Sequence, residues 1–383
     1  MASTPSPSSL VLEHHPKRPR VEGEEGALPV IVKSTDLWLP DGNIFLRTIS
    51  TPPTSPILQY TLYKVHKGIL ALHSSVFRDL FDGPQTAFDV GSEVYEELPV
   101  MDMPDSPDDV AHFLKALYFP ECDFSSFPYK ATLPDGYAGI LRLATKYDVQ
   151  NLRTTTVAAL RLVWPSRLAD WDVLQDSITT DENFPKDIAE GSAVDVSRLY
   201  EDPAKAIRLA IDCDVPEVLP IAYYDLMRIH VRNGRCGSGL LRTSDTSVLT
   251  AEEIKKLLVG MGNLQEHTAT NFLPLPGKLH EPSTGLSICA NLSEGPVCGD
   301  RIRLHWVKQL RTMNSSFGDI LLWMLMLANG LEIMQPKAAC RPCTDKLKDV
   351  RLSAREHVWS RLPKYFYLVT VSSIRPYCLY IRH

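Results

Sequence analysis

The apolar positions of the chain first follow the period of β-strands and later that of helices. From Lys33, the stretch DLWLPDGNIFLRTI carries two apolar runs separated by Pro40-Asp41-Gly42-Asn43, which is a turn signal between the strands of a hairpin. ILQYTLYKV then has β-type composition with partial alternation, and ELPVMDM is a further strand. These patterns predict a small sheet in the first third of the chain.

The stretch YKVHKGILALHSSVFRDLF, residues 63–81, is apolar enough to be buried but carries two histidines, two lysines and two adjacent serines. Its apolar side chains recur at helical spacing on both sides of His73-Ser74-Ser75; they are Ile69, Leu70, Val76, Phe77, Leu80 and Phe81. Ser74 or Ser75 can cap a second helix by accepting a hydrogen bond from a backbone amide. The pattern therefore predicts two short helices rather than one long helix.

Later segments have helical patterns with recognisable ends. SPDDVAHFLKALYF begins with Ser106 as a candidate N-cap and Pro107 at the first helical position. LATKYDVQNLRTTTVAAL and LAIDCDVPEVLPIAYYDL share Leu-Ala, Asp-Val and a final Leu in register, which indicates two helix-turn-helix hairpins. In GMGNLQ, residues 260–265, the glycines follow the helical stretch AEEIKKLLV and predict its end.

The order of these motifs resembles that of a BTB/POZ domain, specifically in the large fungal group whose domain is followed by a helical, cysteine-bearing region. DGNIFL, VHKGILALHSSVF, LPVMDMPDSPDDVAHFLKALY and ILRLATKYDV carry the resemblance across roughly residues 33–164. AIRLAIDCDVPEVLPIAYYDL and REHVWSRLPKYFYL look like later helical parts of the same group. The resemblance implies an α+β domain, with a small mixed sheet flanked by helical hairpins, followed by a mainly α-helical C-terminal region.

We accordingly expect four parts along the chain. They are a disordered tail with a basic cluster (1–30), the BTB/POZ domain (31–165), a helical region with a hairpin (166–275) and a C-terminal helical region with cysteines (276–383). The resemblance also implies a polar pocket, formed by Asp36, His66 and Lys67, where a strand enters the helical hairpin. A hydrogen-bonded structural role for His66 is favoured over a reactive one.

The function that the resemblance implies is that of a protein-interaction module that self-associates into a homo-oligomer and recruits protein partners. One hypothesis is an adaptor that presents a substrate to a cullin-type ubiquitin ligase, with an exposed apolar patch around Phe77, Phe81 and Met103 as the contact. The alternative is a nuclear scaffold or transcriptional co-regulator without its own DNA-binding module. Common catalytic signatures such as Gly-x-Ser-x-Gly, His-Glu-x-x-His and the phosphate-binding Gly-x-x-x-x-Gly-Lys-Ser/Thr are missing from the sequence, so we expect no enzyme.

The sequence predicts an intracellular protein, nuclear or cytoplasmic, with no membrane contact. The first thirty residues lack the apolar core of a signal peptide, and the longest apolar run, residues 320–328, is shorter than the roughly 20 residues of a membrane span. We expect that run to be a buried helix. Lys17, Arg18 and Arg20 in PKRPR form either a nuclear import signal or a solvated charge cluster.

The cysteines leave three interpretations open. Cys340 and Cys343 form a C-x-x-C pair, and Cys289 and Cys298 lie upstream of it. Four thiolates could hold a structural zinc ion, although burial of the cysteines as small apolar side chains is favoured. A redox role would need a βαβ setting that the pattern does not have. No other cofactor is expected.

The C-terminal segment REHVWSRLPKYFYLVTVSSIRPYCLYIRH interleaves aromatic and basic residues, which could bind single-stranded nucleic acid. A helix that ends at Pro363, followed by a packed aromatic tail, is the favoured interpretation. Its buried side would then include Trp359, Leu362, Phe366 and Leu368. The net charge of −6 also argues against a dedicated nucleic-acid surface, so protein partners are expected instead.

Overall fold

The computed structural model describes residues 29–51, 57–82, 93–119, 132–134, 136–180, 194–231, 235–236, 240–271, 319–325 and 341–368. The chain divides into two compact units, and the division falls within one helix, between Ala159 and Leu160. Of the described residues, 132 and 133 also belong to the second unit. Each unit is described separately below.

The first unit contains a five-stranded mixed sheet. Its strands are β1 (Val30–Trp38), β2 (Ile44–Ser50), β3 (Gln59–Val65), β4 (Val94–Tyr95) and β5 (Leu98–Met103). Their order in the sheet is β1-β3-β2-β5-β4. The β1/β3 and β2/β5 pairs are parallel, whereas the β2/β3 and β4/β5 pairs are antiparallel.

The predicted hairpin of the first two strands is wrong, because β3 lies between β1 and β2. The turn itself forms, with the Gly42 amide donating to the Leu39 carbonyl at 3.0 Å. However, the backbone amides on either side of the turn donate hydrogen bonds to β3 rather than to each other's strand. The Leu39 amide donates to the Lys64 carbonyl at 3.0 Å, and the Asn43 amide donates to the Val65 carbonyl at 2.9 Å. The turn therefore carries the chain across the end of β3.

Helices cover one face of this sheet. They are α1 (Lys67–His73), α2 (Ser75–Asp82), α3 (Pro107–Tyr118), α4 (Tyr137–Lys146) and α5 (Gln150–Val163), which continues into the second unit. The two short helices around Ser74 are confirmed. So is the Ser106 cap, whose hydroxyl accepts a hydrogen bond from the Asp109 amide at 3.1 Å.

Side chains alternate between the two faces of the sheet because strands have a period of two residues. The larger core lies between the sheet and the helices and includes Leu37, Ile44, Leu46, Tyr63, Val65, Leu70, Phe77, Met103, Val110, Phe113 and Leu114. A small second cluster of Phe45, Leu62 and Val100 lies on the opposite face under Trp38 and Tyr95.

The second unit is mostly helical. The helices with described ends are α6 (Leu168–Thr180), α7 (Pro203–Asp212), α8 (Leu219–Val231), α9 (Ala251–Asn271) and α10 (Arg341–Tyr365). Residues 320–325 are also helical. A small sheet has the order β6 (Val194–Asp195), β8 (Leu240–Leu241), β7 (Arg235–Cys236). A mixed sheet with helices followed by a mostly helical region confirms the predicted fold class.

The two helix-turn-helix hairpins, α4/α5 and α7/α8, end their first helices in the same way. The Val149 amide donates to the Ala144 carbonyl at 2.8 Å, and the Val215 amide donates to the Ala210 carbonyl at 2.8 Å. The preceding residue is left-handed in both, with φ of 51° at Asp148 and 52° at Asp214. This is the Schellman geometry of a helix C-terminus. The repeated Asp-Val therefore encodes one local turn used twice.

The predicted helix end at Gly260 and Gly262 is wrong, because α9 continues to Asn271. Gly260 is needed for packing rather than for termination. A Cβ atom at this position would lie 1.9 Å from Cδ1 of Phe366. At the C-terminus, α10 continues two residues beyond Pro363, and Leu362 and Phe366 are buried while Trp359 and Leu368 are partly buried.

Among the described residues, none of the helices combines the length and apolar character of a membrane span. The run at 320–328 is helical at 320–325, and its Ile320, Leu321, Trp323 and Met324 are buried.

Candidate protein-interaction surface

The α1–α2 hairpin begins at a polar junction where β3 ends. The His66 amide donates to the Tyr118 hydroxyl at 2.8 Å, and Nδ1 of His66 lies 3.3 Å from the same oxygen. Nε2 of His66 lies 3.1 Å from Oδ1 of Asp41. Nε2 of His66 therefore faces the Asp41 carboxylate, while Nδ1 faces the Tyr118 hydroxyl. His66 thus connects the turn after β1, the start of α1 and the end of α3.

The carboxylate at this junction belongs to Asp41, which the sequence indicated only as a turn residue. A hydrogen bond from its own backbone, followed by the one from His66, lowers the pKa of Asp41. Asp36, the residue expected there, instead lies 2.6 Å from Nζ of Lys115, which lowers the pKa of Asp36. The Lys67 amide donates to Oδ1 of Asn43 at 2.8 Å.

The serines between α1 and α2 attach the hairpin to the α4–α5 turn. Ser74 is buried, accepts from the Phe77 amide at 3.0 Å and donates to the Tyr147 carbonyl at 2.5 Å. The Ser75 hydroxyl donates to the carboxylate of Asp148, and this hydrogen bond is the main cause of the lowered pKa of Asp148. The polar groups of this apolar stretch therefore fix the position of the hairpin.

The exposed surface of the hairpin differs from the expected one. Phe77 is 0% exposed and Met103 is 2% exposed, so neither can contact a partner, while Phe81 is partly buried. Phe77 faces the core because its ring stacks on that of Tyr147, with centroids 4.7 Å apart. Met103 is the last residue of β5 and belongs to the same core.

The apolar residues that the hairpin does expose are Leu72, Val76 and Leu80, which are 71%, 40% and 41% exposed. Val76 and Leu80 are four residues apart and therefore lie on the same side of α2. On α2, Val76 and Leu80 form one apolar stripe, and Phe77 and Phe81 form a second stripe beside it. The Phe77/Phe81 stripe packs against the core, whereas the Val76/Leu80 stripe is exposed. The helical spacing in the sequence indicated both stripes but did not indicate which of them would be buried. We call Leu72, Val76 and Leu80 the hairpin ridge.

A second exposed apolar feature is strand β1, which lies at one end of the strand order. Val30 and Val32 are 50% and 38% exposed, and they share a face because they are two residues apart. Among the strands that the structure describes, β1 pairs only with β3.

The remaining sequence-predicted residues do not contribute to this surface. Lys17, Arg18, Arg20, Cys289, Cys298 and Cys340 lie outside the described residues. Cys343 lies in the first turn of α10 and is partly buried. The described ranges contain no group of three or more His, Cys, Asp or Glu side chains arranged to hold a metal ion. The zinc interpretation stays a prediction.

The sequence was compared with family models, curated proteins and solved structures. No curated protein and no solved structure matches the chain. The family model of the BTB/POZ domain matches residues 57–161, which include β3, the α1–α2 hairpin, β5, α3 and the α4–α5 turn. The matched residues supply three of the five strands of the sheet and the helices that pack on it, while β1 and β2 precede the match. The chain therefore contains a BTB/POZ domain, a protein–protein interaction module.

Proposed function

We propose that this protein is an adaptor whose BTB/POZ domain docks a cullin-type ubiquitin-ligase scaffold through the hairpin ridge. The observation that supports this proposal is the exposure of Leu72, Val76 and Leu80 on a hairpin held by buried hydrogen bonds. Complete burial of a fully exposed aliphatic side chain contributes about 1.5–3 kcal/mol, so Leu72, at 71% exposed, has the most to gain from a contact, and Val76 and Leu80, at 40% and 41%, have less. A rigid hairpin also loses little conformational entropy on binding.

The test is size-exclusion chromatography with light scattering, with the full chain measured alone and mixed with a cullin N-terminal domain from the same source. We expect a complex of defined mass from the unmodified chain. Leu72→Glu and Leu80→Glu should each weaken it at least tenfold, because they place a charge in an apolar contact. Leu258→Glu, on the exposed side of α9, is the matched control and should leave the complex intact. A complex that tolerates both ridge substitutions would contradict the proposal.

We further propose that the domain self-associates through the outer edge of β1. An exposed strand edge with apolar side chains is a template for pairing with another chain, and lysine on such an edge opposes it. In the same light-scattering experiment, Val32→Lys should convert a homodimer to a monomer at micromolar concentration, whereas Leu258→Lys should not. A monomeric unmodified chain would contradict this. A stable homodimer that does not bind the cullin would favour the scaffold alternative.

A further inference from the structure

The face of the first sheet opposite the helices holds the ammonium group of Lys33 against two aromatic rings. Nζ of Lys33 lies 4.5 Å from the centroid of the Trp38 ring and 5.5 Å from that of Tyr95. A cation this close to the face of an aromatic ring is attracted by its electrons. The same nitrogen forms an ion pair with Oε1 of Glu96 at 2.7 Å. We call Trp38, Tyr95 and Glu96 the ammonium site.

An irregularity in β1 brings Lys33 and Trp38 to the same face of the sheet. Side chains five positions apart on a regular strand point to opposite faces. Here, however, Lys33 pairs with Leu62 and Trp38 pairs with Lys64, so the register between β1 and β3 shifts between the two pairs. Leu62 and Lys64 are two residues apart and share a face, and therefore their partners do as well. Irregularities of this kind re-aim side chains next to functional sites.

A turn with unusual backbone angles brings the carboxylate to the same place. Glu96 and Glu97 connect β4 to β5, and their φ angles are 44° and 63°. Two-residue turns with positive φ at both positions normally take asparagine, aspartate or glycine. Glutamate in this conformation costs free energy, and such strain is concentrated at binding sites. The turn therefore departs from the usual residue types where it carries the carboxylate to Lys33.

The two rings rest on a buried side chain, whereas the other side of the ammonium site is open. Phe45 is buried, and its ring centroid lies 5.2 Å from those of Trp38 and Tyr95. The side chains of Lys33 and Glu96 are 38% and 46% exposed. Partial burial lowers the pKa of Lys33, but hydrogen bonds to Glu96 and Tyr95 outweigh it, and the pKa lies above its usual value. The site is therefore preformed, reachable from solvent and favourable to a positive charge.

We infer that the ammonium site binds a dimethyl-lysine side chain of a partner protein, and that Lys33 fills the site when this ligand is absent. Methylation keeps the positive charge of a lysine but makes its ammonium group larger and less hydrated. Aromatic rings bind such cations well, because less water has to be removed from them than from Lys33. The remaining N–H of dimethyl-lysine donates to Glu96, which trimethyl-lysine cannot do.

Lys33 leaves the ammonium site without any movement of the backbone. Its side chain is partly exposed, and exposed side chains change rotamer within picoseconds to nanoseconds. An ion pair between two exposed side chains contributes little to stability, so Lys33 is a weak competitor. The apparent affinity for the ligand is reduced only by the fraction of time that Lys33 occupies the site.

The test uses the full chain and the peptide Ser-Gly-Ala-Lys-Ala-Gly-Ser with Nε-dimethyl-lysine at its centre. Binding is followed by the broadening of the methyl NMR signal of the peptide. The Lys33→Ala chain should bind this peptide about tenfold more tightly than the unmodified chain, because the competing ammonium is removed. A peptide with an isopropyl group in place of the dimethylammonium has the same shape without the charge, and it should bind about tenfold more weakly.

Two further variants locate the contact. Glu96→Gln combined with Lys33→Ala removes the charged acceptor with little change of shape, and it should weaken binding of the dimethyl-lysine peptide about tenfold relative to Lys33→Ala alone. Lys255→Ala removes the lysine of another exposed ion pair, with Glu252 on α9, and should leave binding unchanged. Lys33→Gln repeats the test with part of the aliphatic side chain retained.

The inference does not depend on the cullin proposal, since Leu72→Glu leaves the ammonium site unchanged. It is wrong if the dimethyl-lysine peptide binds neither the unmodified chain nor the Lys33→Ala chain. It is also wrong if Lys33→Ala and Lys33→Gln leave the affinity unchanged, because the peptide then binds elsewhere. Equal binding of the dimethyl-lysine and isopropyl peptides would likewise overturn it, because the contact would then be apolar rather than cationic.

Discussion

At the scale of single residues, Ser74 links three parts of the BTB/POZ domain. Its hydroxyl caps α2 by accepting from the Phe77 amide, and it donates to the Tyr147 carbonyl in the α4–α5 turn. The sequence predicted a serine cap before this apolar helical run but left Ser74 and Ser75 as alternatives, and the structure assigns the cap to Ser74. The donor role joins residues 73 positions apart, and nothing local to Ser74 indicates it.

Ser74→Ala should lower the free energy of unfolding by about 1–3 kcal/mol, because it removes the cap and leaves a buried carbonyl without its donor. Urea unfolding of both chains measures the change. Thr155→Ala is a suitable control, since Thr155 is exposed on α5 and its hydroxyl donates to the Asn151 carbonyl of the same helix. Equal stability of the Ser74→Ala and Thr155→Ala chains would contradict this account.

At the scale of elements, α9 and α10 show how a distant contact overrides a local signal. Two glycines within three positions normally indicate that a helix ends, yet α9 passes through both. Gly260 is buried where Phe366 comes close, whereas a Cβ atom at Gly262 would have nothing within 4 Å. The same residue type therefore has opposite consequences two positions apart.

Gly260→Ala should destabilise the protein by at least about 2 kcal/mol, because the new methyl group overlaps the Phe366 ring and the core must shift. Gly262→Ala should instead stabilise it by about 0.5–1 kcal/mol, because alanine is the better helix former at an exposed position. Thermal unfolding of the two variants tests both signs at once. Destabilisation of similar size in both would mean that α9 is not a continuous helix at this point.

The contact between α9 and α10 also carries a pH-dependent term. The ring of His267 on α9 stacks on that of His357, at 5.5 Å, and lies 5.5 Å from that of Tyr365, both on α10. Burial lowers the pKa of His267 below 6.5, and the nearby His357 and Arg361 lower it further. Below pH 6.5 the unfolded chain therefore takes up a proton that the folded chain binds less readily.

We expect the urea midpoint of the unmodified chain to fall between pH 7.5 and pH 5, and His267→Gln to reduce this fall. His73→Gln, at the exposed end of α1, provides the control for loss of a histidine elsewhere. The expectation fails if His267→Gln and the unmodified chain lose stability in parallel over this range.

At the scale of the whole molecule, the functional proposals concern different parts of the chain. In the BTB/POZ domain, the proposed contacts are the hairpin ridge, the outer edge of β1 and the ammonium site. The basic cluster PKRPR, outside the described residues, carries the nuclear alternative. Composition cannot distinguish an import signal from a solvated charge cluster, so the location of the protein in cells is the measurement that distinguishes them.

Lys17→Ala combined with Arg18→Ala should leave a fluorescently tagged full chain in the cytoplasm if PKRPR is the import signal, because two of its three basic side chains are lost. Microscopy of the tagged chains in cells measures the nuclear fraction. Glu24→Ala with Glu25→Ala changes two charges in the same tail and serves as the control. Unchanged nuclear retention of the Lys17/Arg18 variant would remove the import argument.

The sequence by itself determined those features that depend on neighbours within about one helical turn or one strand. The sequence predicted a serine cap at Ser74 or Ser75, the Ser106 cap, the separate helices α1 and α2, the two Asp-Val turns and the family motifs. Each is decided by residues a few positions apart.

Only the tertiary structure decided which distant residues meet. In the tertiary structure, β3 lies between β1 and β2, and the carboxylate next to His66 is that of Asp41. Phe77 is buried whereas Val76 is exposed, and α9 continues through Gly260, where it packs against Phe366. The physical reason is the same in each case. A local pattern marks a side chain as apolar, charged or small, but its partner is chosen by close packing and charge pairing across the folded chain.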